Sequence, residues 1–244
     1  MNQSKLLERE NILIKPLGEA AVTIQFGTDI KPDLHRKVRA LASKLDTDSF
    51  AGFIEYVPAF ASVTIFYDPV IVYQAFRCSP FQAVHSILTN MILQLKEERI
   101  LEQRIREIPV CYGGTFGPDL QYVADYHQLS ADEVINIHIS EKYLVYMIGF
   151  VPGFPYLGGL SQKIATPRRS SPRLKIPAGS VGIAGSQTGV YPFETPGGWQ
   201  LIGQTFLPLF TPQNHPPSLL QPGDIVKFIS ISEEEYKAGK EEFL

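Results

Sequence analysis

Beyond Glu141 the chain meets a turn former every few residues. Gly149, Pro152, Gly153, Pro155, Gly158 and Gly159 follow one another, and then come Pro167, Pro172, Pro177, Gly179, Gly182 and Gly185. Between them the apolar runs shorten to strand length. Long helices cannot form across such punctuation, whereas short strands joined by tight turns can, so this half predicts a β-barrel rather than a helical bundle. Two short helices precede it: one runs from Asp119 to about Tyr126, and one is capped by Ser130 with Glu133 three residues on. Ser232 and Glu235 repeat the capping spacing and predict a last short helix.

The first hundred residues read differently. Ile12 to Ile14 and Ala21 to Phe26 flank a turn at Gly18 and predict a bent strand or hairpin. Leu34, Val38, Leu41, Ala42 and Leu45 then recur at helical spacing behind Pro32. Phe53 to Val57 and Ser62 to Tyr67 predict strands. Ser79, Pro80 and Gln82 begin a second helix, with Gln82 closing a capping box and Val84, Leu88, Met91, Ile92 and Leu95 forming its stripe. Alternation of this kind predicts an α+β sandwich of the ferredoxin-like sort. The densely charged stretch from Lys96 to Glu107 reads as a solvated connector, and 244 residues suit two domains, 1–105 and 106–244.

Charge and cysteine content exclude several classes. The net charge of -3, with basic residues dispersed except around Arg168, Arg169 and Arg173, argues against nucleic acid as a partner. Cys78 and Cys111 fall in different predicted domains and suggest neither a disulfide framework nor a metal site. No apolar run is long enough to span a bilayer, which argues against a membrane partner. The polar N-terminus Met1 to Glu10 lacks a secretory pattern, so a cytoplasmic location is expected.

Four stretches concentrate the chemistry. They are His138 to Leu160, Pro167-Arg168-Arg169-Ser170-Ser171-Pro172-Arg173, Ile176 to Gly185, and Tyr191-Pro192 with Thr195-Pro196-Gly197-Gly198-Trp199-Gln200-Leu201-Ile202-Gly203. The three arginines sit in a Pro-bounded loop, and a guanidinium fork grips a carboxylate or phosphate bidentately, so the loop predicts a small anionic ligand. Ala178-Gly179-Ser180-Val181-Gly182 is not a nucleophile elbow, because its first glycine is missing and no helix follows. No phosphate-cradling Gly-rich loop with Lys-Ser/Thr and no His-Glu-x-x-His pair occurs.

In this order the four stretches resemble the signature of the family that joins the B-type subunit of 5-oxoprolinase, allophanate hydrolase subunit 1 and the kinase-A inhibitor of sporulating bacteria. The resemblance implies an N-terminal α+β domain followed by a cyclophilin-like barrel. It implies an enzyme subunit that opens 5-oxo-L-proline to L-glutamate with partner subunits A and C and with ATP, the nucleotide being held mainly by a partner. ATP suits that reaction because a lactam is a stable amide that water attacks slowly until its oxygen is activated.

On the same resemblance His138 holds the place of a motif histidine ahead of a strand, and the expectation is that it moves a proton. Arg168, Arg169 and Arg173 are expected to hold the substrate carboxylate, with Ser180, Gln187, Gln200 and Tyr156 as neutral contacts. Gln204 stands where the family pattern has an arginine. An alternative implied role is inhibition of a sensor histidine kinase through an apolar surface furnished by Phe193, Phe206, Leu207, Leu209 and Phe210. A weaker one is prolyl isomerisation. The enzymatic expectation requires the arginines and His138 to converge on one concavity.

Overall fold

The computed structural model describes residues 12–95 and 104–242. The polar N-terminal segment and most of the charged connector lie outside the described residues. By its contacts the chain divides into two compact units, Met1–Leu101 and Glu102–Leu244.

In the first unit, strands β1 (Leu13–Pro16), β2 (Ala21–Gln25), β3 (Phe53–Pro58) and β4 (Ser62–Tyr67) form an antiparallel sheet of order β1-β2-β4-β3. Helix α1 (Pro32–Thr47) connects β2 to β3, and α2 (Pro69–Phe76) and α3 (Pro80–Leu93) follow β4. Val22 and Ile24 of β2 and Val63, Ile65 and Tyr67 of β4 alternate onto one face and bury against Val38, Leu41 and Leu45 of α1 and Val84 and Leu88 of α3. That is the period-two burial of a sheet covered on one side.

A ferredoxin-like chain runs strand, helix, strand, strand, helix, strand. Here the outer strand β1 is instead added ahead of β2 by a hairpin, through Gly18 at φ 65°, and the described part of the unit ends on two helices. The second predicted helix starts at Pro80 as expected, but Ser79 makes no side-chain cap, so no capping box forms there. Helix α2 escapes the sequence reading because Pro69 to Phe76 is apolar nearly throughout and shows no stripe. It is set by Asp68, whose carboxylate accepts from Val70 and Ile71 N–H.

The strands of the second unit are β5 (Ile105–Tyr112), β6 (Tyr143–Ile148), β7 (Pro155–Gly158), β8 (Arg173–Ile176), β9 (Ser180–Ala184), β10 (Gln187–Val190), β11 (Thr195–Gly197), β12 (Gln200–Gln204) and β13 (Ile225–Ile231). All but β8 and β11 close into a barrel of seven strands in the order β10-β7-β6-β13-β5-β12-β9. Paired neighbours are antiparallel except β13 and β5, which run parallel from Ile225 beside Ile105 to Ile231 beside Cys111. Closure leaves no open sheet edge.

Ile108, Val110, Tyr143, Val145, Leu157, Val181, Ile183, Val190, Ile202, Val226 and Phe228 fill the interior. Helices α4 (Leu120–His127) and α5 (Ala131–Ser140) add Val123, Ala124 and Val134 to the same core. The predicted capping boxes at Ser130 and at Ser232 both form, the latter opening α6 (Glu233–Glu241). Strands β8 and β11 pair as a two-stranded ribbon outside the barrel. Its Ile176 packs with Phe154, Ala184, Tyr191, Trp199 and Leu201 in a separate cluster on the outer wall.

Candidate functional site

Strand alternation sorts the predicted site residues onto two sides of one wall. On β9, Val181 and Ile183 point into the barrel while Ala184 joins the outer cluster; Tyr191 pairs with Ser180, and Gln187 pairs with Ala184. Ser180, Gln187 and Tyr191 therefore share the outer face with Phe154, Tyr156 and Trp199.

Two glycines make that face possible. A Cβ on Gly189 would come within 3.0 Å of the Trp199 ring and 3.1 Å of the Phe154 ring, and one on Gly182 within 3.1 Å of the Trp199 Cβ, so both rings lie directly on the backbone at Gly189. The rings meet edge to face: Phe154 stands 5.2 Å from Tyr156, 5.4 Å from Tyr191 and 5.6 Å from Trp199 between centroids. Phe150 extends the row, 5.6 Å from Phe154, at a φ of 66° and 61% exposed. A bulky side chain held in the left-handed region and left in water marks a strained rim.

Arg168 is the cation of this face. It is exposed and has no ion pair among the described residues, and its charge reaches the Tyr191 hydroxyl. Burial pushes the Tyr191 phenol up to about 12, and the Arg168 charge and a Trp199 backbone hydrogen bond pull against that rise. Gln187 Nε2 is buried in the wall and has no hydrogen-bond partner among the described residues. Phe154, Tyr191 and Trp199 are 2%, 2% and 6% exposed and form the packed wall, in front of which the exposed Arg168 and the half-buried Tyr156 offer a cation and a ring to a small anionic molecule.

The other two arginines are already engaged, contrary to the expectation that they grip a ligand. Arg173 places Nη1 2.8 Å from Asp119 Oδ2 and Nη2 2.8 Å from Oδ1, and Arg169 Nη1 lies 3.0 Å from Oδ1. Asp119 is 4% exposed and also accepts the Leu201 N–H at 2.7 Å. The carboxylate the arginines were expected to bind is thus supplied by the chain itself, at the start of α4. It ties the Pro-bounded loop to β12 and leaves Arg168 pointing elsewhere. Asp119 was missed because nothing in its local sequence distinguishes it from a helix-start residue.

His138 and Gln200 belong to the interior side. Gln200 donates to Pro167 O at 3.0 Å and is 2% exposed. His138, on α5, is fully buried and stacks on Phe228 at 4.5 Å. Its Nδ1 is 2.7 Å from Tyr112 Oη and its Nε2 is 3.0 Å from Thr188 Oγ1. Thr188 donates its own proton to Gly182 O at 3.0 Å, so it accepts from His138 Nε2–H, and Nδ1 accepts from Tyr112. Burial lowers the imidazole pKa to about 3. Both nitrogens are engaged within the barrel, so the convergence of His138 with the arginine loop on one concavity is not what forms.

Gln204, at the position of the family arginine, donates to Ala178 O at 2.7 Å and staples β12 to the loop before Ser180. Nor do the five residues weighed as an apolar docking surface make one. Leu209 is 1% exposed, Phe206 packs on Tyr236, Phe210 packs on Phe193, and only Phe193, at 38%, is exposed.

The family model for the carboxyltransferase domain, subdomain C and D, matches residues 12–220. The 5-oxoprolinase B subunit of Bacillus subtilis (strain 168) is 55% identical over 232 residues, which are 94% of this chain and 97% of that protein. The crystal structure of TTHA0988 superposes with a TM-score of 0.75 at 32% identity over 90% of this chain, which spans 40% of the length of that one. The Kluyveromyces lactis urea amidolyase superposes with a TM-score of 0.76 at 20% identity over 95% of this chain and 15% of its own, a likeness of fold alone. No helix among the described residues is long and apolar enough to cross a membrane.

Proposed function

This chain belongs to the carboxyltransferase subdomain C and D family, and from that premise we propose that it is the B-type subunit of a 5-oxoprolinase, which opens 5-oxo-L-proline to L-glutamate. The observation that carries the proposal is the 55% identity to a 5-oxoprolinase B subunit, with 97% of that protein covered.

The substrate is a flat five-membered lactam with one carboxylate. The outer wall supports its binding here: Arg168 meets the carboxylate and the ring lies against Tyr156, with Gln187 on the same face. Ser180 lines the same strip. Arg169 and Arg173 act through Asp119, as positioning residues that hold the loop from which Arg168 projects. His138 has no part in proton transfer on this reading. With both nitrogens bonded and its pKa held to about 3, it is a strut between α5, β5 and β10.

The described residues of the proposed face do not suit ATP. The face carries one unpaired arginine rather than a backbone cradle for a triphosphate, and no group of three His, Cys, Asp or Glu among the described residues could hold its metal. On this proposal the A or C subunit holds the nucleotide, in a cytoplasmic complex. Coexpression with A- and C-type subunits tests the whole: purified complex given 5-oxo-L-proline and ATP releases glutamate, and release that persists when this chain is omitted would refute the assignment.

A further inference from the structure

The barrel has a second feature with a cation in it, away from the aromatic wall. Arg104 and Arg106 stand four and two residues ahead of Ile108, on the face of β5 that continues into the barrel core. They open a cleft of about 290 Å³ at the end where β5 and β13 begin, closed over by the long connection between β12 and β13. Its other walls include Leu207, Pro208, Pro216, Pro217 and Leu219. The mouths of β-barrels are favoured places for small ligands, and this volume lies at the small end of ligand pockets.

The two arginines differ. Arg104 is spoken for, its Nε 2.8 Å from Asp224 Oδ1 and its Nη2 on Asp224 Oδ2. Asp224 is 5% exposed and also accepts from Gln221 N–H. Arg106 has no ion pair among the described residues, and its Nε is buried without a hydrogen-bond partner. A buried guanidinium donor beside a cavity with no acceptor is a costly arrangement unless something supplies the acceptor.

We propose that this cleft is a binding site for a compact monocarboxylate with an apolar ring, held by the fork of Arg106 against the proline and leucine walls. A carboxylate matches the planar donor pair, and a five-membered ring matches walls that are mainly apolar. The site stands on its own geometry, separate from the substrate-binding wall proposed above, and would give the protein a second point at which a cyclic amino acid or lactam acid acts.

The test is a titration of the ¹⁵N-labelled full chain, following the arginine Nε–H resonances, with 5-oxo-L-proline, L-proline, acetate and 5-oxoproline methyl ester as probes. The Arg106 resonance is expected to shift saturably with the two ring acids, at least tenfold more weakly with acetate, and not with the ester. In parallel calorimetry, Arg106→Met and Arg106→Lys should each weaken ring-acid binding at this site at least tenfold, with unchanged melting temperatures, whereas Arg168→Met should leave the Arg106 shift intact. No Arg106 shift with any acid, an equal shift with the ester, or loss of the shift in Arg168→Met would overturn the inference. Turnover by the reconstituted complex bears only on the function proposed above and leaves this result untouched.

Discussion

Arg173 grips Asp119 with both terminal nitrogens, each at 2.8 Å, and Arg169 shares the same carboxylate. One acid therefore holds two of the loop's three cations and leaves Arg168 without an ion pair among the described residues. With Asp119 only 4% exposed, removing it leaves two partly buried charges without a partner. Asp119→Ala is expected to destabilise the barrel unit by about 3 kcal/mol, near the lower end of the range for a broken buried pair because the arginines keep some contact with water. Chemical denaturation measures it, and Asp119→Ala combined with Arg173→Met should cost less than the sum of the two single changes.

Arg168 has no such structural duty. In the reconstituted complex Arg168→Met should raise KM for 5-oxo-L-proline by roughly ten- to a hundredfold, the order expected when a charged hydrogen bond to a carboxylate is lost. Its melting temperature should match that of the unaltered protein. Steady-state kinetics beside a melting curve separates this from a folding defect.

Two buried histidines give the fold an acid limit. Burial lowers His138 to about 3, and lowers His35, with help from the charge of Arg39, to about 4, so the unfolded chain binds protons that the folded chain refuses. Their neutral-state contribution is complete above the unfolded value near 6.5 and is lost as pH falls from there toward those folded values. The slope is up to about 1.4 kcal/mol per pH unit for each histidine. Denaturation at pH 7, 6 and 5 should show this decline, and His138→Phe should flatten the barrel's share of it even while lowering stability at neutral pH.

The chain has a single tryptophan, and it lies in the aromatic wall. Gly189→Ala puts a methyl group 3.0 Å from the Trp199 ring, which overpacks the wall at a cost of about 1 to 3 kcal/mol and moves the indole. A shift in emission maximum is therefore expected together with weakened substrate binding. On the same logic 5-oxo-L-proline should alter the emission of the unaltered protein, and should not do so in Arg168→Met.

Much of the fold is legible where local signals act alone. Pro32, Pro80, Ser130 and Ser232 mark helix starts that all form, and the Gly and Pro density after Glu141 announces the short strands that close the barrel. Pairing across distance is what local patterns cannot carry. The arginine loop reads as a ligand clamp because Asp119 lies fifty residues upstream, and no periodicity links the two. His138 reads as a proton carrier because its neighbours Tyr112 and Thr188 come from parts of the chain that only the closed barrel brings together. The order of the first sheet is illegible for the same reason: a hairpin ahead of β2 and a strand after the last helix produce similar local patterns. Tyr156, Gln187 and Ser180 do share a face, but no local pattern hints that Trp199 and two glycines create the shelf beneath them.

The parallel seam between β5 and β13 joins the first strand of the barrel to its last. While a ribosome is still adding residues 225 to 231, β5 has no neighbour on that side, and the interior around Phe228 cannot be sealed. The first unit can settle as soon as it emerges, but the second must wait for its last strand, so any nascent chain stalled before Ile225 offers cellular quality control an unzipped, apolar cylinder.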